Sequence, residues 1–209
     1  MSYQSLYTAA QLRKLDRIVI KECGISGYEL MQRAGRFSYE TLKETWPECK
    51  AIIVICGRGN NAGDGYVLAK LAIEDGKDVR ILNCFDSDLL KGDAKRVYQE
   101  LLTLAPDPVD DKSPFNDGCH DISNYGCHDI SFNIDSGDDL SLYPYTPYTV
   151  ESRLTEGQDS NTGRPYVFVD AIFGTGLTRD VHRELELIWT LNSLKEDVDI
   201  ERKILSIDI

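Results

Sequence analysis

Positive charge is scarce in this sequence, and long apolar runs are missing. Lysine and arginine number 23 against 35 acidic residues, a formal charge of −12. A nucleic-acid binder needs a basic face, so this balance argues against such a partner. No stretch approaches the roughly 20 apolar residues that a membrane-spanning helix requires, so no membrane partner is expected. The opening Met1-Ser2-Tyr3-Gln4-Ser5-Leu6 lacks the basic cluster and apolar stretch of a secretory or mitochondrial presequence. A cytoplasmic location is therefore expected. Six cysteines in 209 residues do not make a disulfide framework. Cys56 ends an apolar run and Cys84 nearly does, which suits reduced thiols in a core.

With 42% hydrophobic and 28% charged residues, the chain can bury the core of one ordinary domain. The negative charge is uneven. Residues 107–164 hold 12 acidic and 3 basic side chains. They are rich in Asp, Ser, Gly, Pro, Asn and Tyr, and lack a long apolar period. They also carry a tandem repeat, Asn116–Ser123 and Asn124–Ser131, whose copies differ only at Asp117 and Tyr125. Most of this segment reads as a mobile surface insertion. Cys119, His120, Cys127 and His128 offer zinc two thiols and two imidazoles. Adjacent Cys and His point in different directions, though, and the spacing matches no established finger, so an unstructured duplication is preferred.

The rest of the chain alternates. Thr8 and Gln11 form a capping-box pattern before a helix over Ala9–Val19, with Leu12, Leu15, Ile18 and Val19 on one face. A second helix is expected from about Tyr28 to Lys43, with Leu30, Met31, Ala34, Phe37 and Leu42 inward. Ala51–Cys56 is continuously apolar, as in a strand covered on both faces. After the glycine-rich stretch come a helix over Tyr66–Ile73, a strand over Val79–Leu82 and a helix over roughly Gly92–Leu104. A strand over Tyr166–Val169, a helix over His182–Leu194 and a strand over Ile204–Ile207 complete the series. Strands alternating with helices predict an α/β fold, a Rossmann-like three-layer αβα sandwich with a mainly parallel sheet.

Three strand ends carry the chemistry. The first is Gly57-Arg58-Gly59-Asn60-Asn61-Ala62-Gly63-Asp64-Gly65, between a strand and a helix. Its glycines let backbone N–H groups approach a ligand, and a helix start favours anions. It fits a dinucleotide fingerprint loosely, but Asn83 stands where an acid would hold a ribose hydroxyl, which disfavours a dehydrogenase. No phosphate-gripping Lys follows, which disfavours a P-loop kinase. Asn60, Asn61 and Asp64 would hold a ribose or a hard cation, or else simply cap the next helix. The second strand end is Asp170-Ala171-Ile172-Phe173-Gly174-Thr175-Gly176-Leu177-Thr178-Arg179-Asp180. Asp170 lies where open α/β sheets bind ligands, and an unpaired buried carboxylate is costly, though hydrogen bonds from neighbouring N–H groups would satisfy it. The third is Ser206-Ile207-Asp208-Ile209.

Taken in order, these motifs resemble one family. Cys56–Gly65 is similar to its Asn-Asn-Gly-Gly-Asp-Gly element, differing at Ala62. Asp170–Leu177 resembles its Asp-Ala-[Ile/Leu]-Phe-Gly-Thr-Gly-Leu element, and Thr8–Arg36 its opening helices. The resemblance is to the NAD(P)H-hydrate (NAD(P)HX) epimerase, or YjeF amino-terminal-domain, family, over about residues 7–106 and 165–209. It implies one such domain across 1–209, with 107–164 inserted and the carboxyl-terminal edge incomplete. The family continues past the last strand with Pro-Ser-Gly, whereas this sequence stops at Ile209.

The resemblance implies interconversion of the R and S hydrates of NADH and NADPH, so that a stereospecific dehydratase can restore them. That dehydratase is the implied functional partner, and a homodimer is admitted. Asn60, Asn61, Ala62, Gly63, Asp64, Gly174, Thr175, Gly176, Leu177, Thr178, Arg179, Asp180 and Asp208 would contact substrate. Asn61 and Asp170 would bind a potassium ion. Asp170 or Asp208 would shuttle the proton as hydroxide leaves and water returns on the other face. The rival is a non-catalytic scaffold like those in messenger-RNA decapping factors, which would not need this polar set.

Overall fold

The computed structural model describes residues 7–84, 89–104, 128–132, 166–175, 177 and 203–207. Among them the order is α1 (Ala9–Glu22), α2 (Gly27–Thr45), β1 (Ala51–Cys56), α3 (Asn60–Glu74), β2 (Asp78–Asn83), α4 (Gly92–Leu102), β3 (His128–Phe132), β4 (Tyr166–Ala171) and β5 (Lys203–Ser206). One sheet has the order β3-β2-β1-β4-β5. β1 pairs in parallel with β2 and β4, β4 in parallel with β5, and β3 antiparallel with β2.

Every residue of β1 is buried, so the centre of the sheet is covered on both faces. That is why the strand is an unbroken apolar run rather than an alternation. Each fully buried aliphatic side chain there contributes roughly 1.5–3 kcal/mol. α3 packs on β1, β2 and β4 and lies between α2 and α4. The expected α/β class with a mainly parallel sheet is what the structure has. The expected helix at 182–194 lies outside the described residues, as do Cys119, His120 and Cys127. Cys49, Cys56 and Cys84 are buried and form no disulfide among the described residues, as a reduced core requires.

Two expectations are corrected. The glycine-rich stretch is not a loop leading to a helix at Tyr66, because α3 starts at Asn60. Glycine lowers helix propensity, but close packing outweighs it. A Cβ on Gly65 would stand 2.8 Å from the Ala171 side chain, so a larger residue would push the helix off β4.

The inward face of α2 is also rotated. Met31, Gly35, Ser38, Tyr39 and Leu42 are buried, while Phe37 is 69% exposed. Gly35 sets this contact, since a Cβ there would meet Val67 and the Asp64 backbone of α3. Within residues 107–164, most of which reads as an insertion, residues 128–132 form β3. An edge strand of five residues needs no long apolar period to form.

Candidate active site

The ends of β1, β4 and β5 meet the first turn of α3. Helical geometry spreads the run Asn60–Asp64 around the axis, so neighbours in sequence face different partners. Asn60 is exposed. Ala62 is fully buried, and a Cβ on Gly63 would collide with Met31 of α2. Any ligand contact from Ala62 or Gly63 therefore runs through backbone atoms. The reading of Asn60 and Asp64 as simple helix caps fails, because Gly59 is the N-cap and no side chain closes it.

Asn61 faces the other strand ends and is 5% exposed. Its Nδ2 donates to the carbonyl oxygen of Phe173 at 2.9 Å and of Ile207 at 2.8 Å. One amide thus joins the chain after β4 to the chain after β5. Its Oδ1 is buried and accepts from nothing. A buried polar atom left this way carries an uncompensated desolvation cost. Gly174 makes the approach possible, since a Cβ there would stand 3.2 Å from the Asn61 Cβ.

Asp170 is half-buried near the end of β4. Its Oδ1 accepts from the Ile172 N–H at 3.1 Å, and its carbonyl accepts from the Ile207 N–H at 2.9 Å. Its second carboxylate oxygen has no hydrogen-bond partner among the described residues. Ile207 is buried. Thr175 is half-buried and Leu177 exposed, with the Leu177 N–H bonded to the Gly174 carbonyl at 3.2 Å. Gly176, Thr178, Arg179, Asp180 and Asp208 lie outside the described residues.

Asp64 has the most altered chemistry. It is 6% exposed, with no hydrogen-bond partner among the described residues. Burial pushes its carboxyl up to about 7, and the nearby charge of Asp16 on α1 adds to the rise. A carboxyl that titrates near neutrality can both give and take a proton under working conditions. Sequence reasoning placed Asp64 at the site but gave the acid/base role to other residues. Its spacing of three from Asn61, one helical step, was the available signal.

The position of Asn83 is also settled. It is fully buried at the end of β2, and its Oδ1 accepts from the Tyr66 hydroxyl at 2.7 Å. It serves the core rather than a ribose.

Polar groups at the strand ends of a mainly parallel sheet, beside a helix start, define a ligand-binding domain of the Rossmann-like class. The family is more particular. The family described as YjeF-related protein N-terminus matches residues 27–209, and the chain belongs to it. It is 48% identical over 89 residues to the bifunctional NAD(P)H-hydrate repair enzyme Nnr of Coxiella burnetii, covering 43% of this chain and 18% of that protein. It is 34% identical over 114 residues to the NAD(P)H-hydrate epimerase of Rhodobacter capsulatus, covering 50% of this chain and 54% of that protein. The matched part thus spans 18% of the first relative's length and about half of the second's. The crystal structure of yeast ynu0, YNL200c, superposes with a TM-score of 0.60 at 18% identity, covering 99% of this chain and 70% of that one. That likeness concerns the fold.

Proposed function

We propose that the domain epimerises the R and S hydrates of NADH and NADPH, an isomerase of nucleotide repair. The observation that carries this reading is the buried polar set on the first turn of α3, Asn61 with an unsatisfied Oδ1 and Asp64 with a carboxyl near neutrality. A helix that served only the core would replace both with apolar residues. The names of the relatives point to the same substrate.

Inversion at the hydroxyl-bearing ring carbon proceeds by breaking its C–O bond, which leaves a cation conjugated with the ring nitrogen. Protonated Asp64 gives its proton to the departing hydroxyl. The resulting carboxylate then takes a proton from the water that adds on the opposite face, and the cycle closes. Asp170, held by the Ile172 N–H, supplies fixed negative charge to the cationic intermediate. Asp208 belongs to the same proposal.

The donor set fits potassium. Asn61 Oδ1 is a buried acceptor without a donor, the Phe173 and Ile207 carbonyls converge on the same side chain, and Asp170 adds a carboxylate. These are hard oxygen ligands. Bound there, the ion would supply positive charge and tie the chain after β4 to the chain after β5.

The substrate, the stereospecific dehydratase as functional partner and a cytoplasmic setting follow from this reading, and a homodimer from the family alone. Among the described residues no helix is long and apolar enough to cross a membrane. Proton NMR of a single purified epimer of NADPH hydrate tests the proposal, with the protein expected to equilibrate both forms. Persistence of that epimer at its rate in buffer alone would favour a non-catalytic scaffold.

A further inference from the structure

The packing around Asp64 is uneven. On one side α2 is locked to α3, since a Cβ on Gly35 would stand 2.6 Å from the Asp64 carbonyl oxygen. Five residues of α2 are buried, so it cannot leave without opening the core. On another side stands α1, close enough for the charge of Asp16 to act on the Asp64 carboxyl. α1 buries none of its residues. Leu12, Ile18 and Val19 are half-buried, while Leu15 and Ile20 are exposed. No ion pair among the described residues anchors it. A helix held only by half-buried contacts opens at a small fraction of the cost of global unfolding.

The connection to α2 is an independent observation. Residues 23–26 join the two helices, and within them Gly24 has a φ of 69°. Nothing lies within 4 Å of where a Cβ on Gly24 would stand. A glycine in open space passes between positive and negative φ at little cost, which makes this link a hinge. The capping box of Thr8 and Gln11 closes the far end of α1 locally, so that end needs no partner from the body of the domain. Finally, Asp64 is 6% exposed, so a nicotinamide-sized ring cannot reach its carboxyl in this arrangement. A neighbouring element has to move, and α1 is the one held least.

We propose that α1 is a lid over Asp64, hinged at Gly24, that opens to admit substrate and closes over it. The inference rests on the epimerase reading for its purpose, whereas the opening itself belongs to the ligand-free fold. Closure restores the dry surroundings in which a proton passes between carboxyl and substrate.

Thiol labelling of the full chain carrying Asp64→Cys tests the lid without substrate. Cys56, fully buried in β1, is the internal reference, because a reagent reaches it only when the core opens. Peptide mapping by mass spectrometry reads both thiols in one sample. The introduced thiol should react at least about 100-fold faster than Cys56. Adding Ile18→Ala trims a half-buried contact of α1 and should raise the ratio of the two rates about fivefold. Labelling as slow as at Cys56 would overturn the lid. Fast labelling that ignores Ile18→Ala would overturn it too, by placing the route elsewhere. If Asp64→Cys fails to fold, amide exchange in the unaltered chain decides. α1 should then exchange well ahead of α2 and α3, and equal protection would overturn the proposal. The epimer NMR assay on the unaltered chain separates the two readings. An active protein with a slow introduced thiol loses the lid alone, whereas a fast thiol in an inactive protein keeps the lid and removes the epimerase reading.

Discussion

Helices α1 and α3 are close in length, 14 and 15 residues, and opposite in burial. α1 has a sharp apolar face and a complete capping box of Thr8 and Gln11, yet buries none of its residues. α3 has internal glycines and no side-chain cap, yet ten of its residues are buried. An amphipathic pattern is needed where one face meets water. α3 starts inside the molecule, against the sheet, α2 and α4, so no such pattern is required of it. The cost falls on its polar residues, since burying Asn61 and Asp64 without full hydrogen bonding is destabilising. The two helices thus separate features that stabilise from the buried polar features on which the proposed chemistry rests.

The largest effect expected from breaking this comparison is at Asp64. Asp64→Asn keeps the size and removes the titration, so epimerisation should slow by about 10²-fold or more. Stability should move the other way above neutrality. A carboxyl raised in the fold holds its proton more tightly folded than unfolded. Its contribution is full below the unfolded value near 3.8 and is lost as pH rises toward about 7. That shift corresponds to a swing on the order of 4 kcal/mol between acid and mildly alkaline solution. Urea midpoints at pH 5 and 8 should therefore diverge in the wild type and converge in Asp64→Asn. Equal midpoint differences in both proteins would show that Asp64 is not the group responsible.

Next in size is the packing contrast. Leu68 on α3 is fully buried, and Leu15 on α1 is 44% exposed. Leu68→Ala should cost about 2–5 kcal/mol through lost transfer energy and the cavity left behind. Leu15→Ala should stay within about 0.5 kcal/mol. Chemical denaturation at one pH measures both. Comparable losses would mean that α1 is held far more firmly than its exposure implies.

The same contrast explains what the sequence made legible. β1, β2, β4 and β5 stand out because buried parallel strands are short apolar runs, and the α1 cap is a local pattern in adjacent residues. The start of α3 was hidden, since Gly63 and Gly65 look like loop residues until Met31 and Ala171 are seen to occupy the missing side-chain space. On α2 two candidate stripes compete, and Gly35 against Val67 decides between them. At the site, Asn61 and Asp170 were recognisable from motif and strand end. The bonds that orient Asn61 span 112 and 146 residues, and no local pattern encodes them. The rise at Asp64 likewise depends on burial and on Asp16, 48 positions earlier in the chain.

The smallest effect comes from a link between the two helices. Asp16 is half-buried on α1, and its negative charge disfavours a second negative charge on Asp64. Burial is the larger of the two causes, so removing Asp16 should leave most of the rise in place. Asp16→Asn should lower the Asp64 titration below about 7 and carry the alkaline limb of the pH–rate profile in the same direction. The rate at neutral pH should change by less than about tenfold, because the proton shuttle itself remains. Carbon-13 NMR titration of the Asp64 carboxyl reads the shift directly. A large loss of activity with an unmoved titration would instead give Asp16 a direct role at the substrate. An unmoved titration with unchanged activity would reduce α1 to a surface helix, leaving burial alone to set the chemistry of α3.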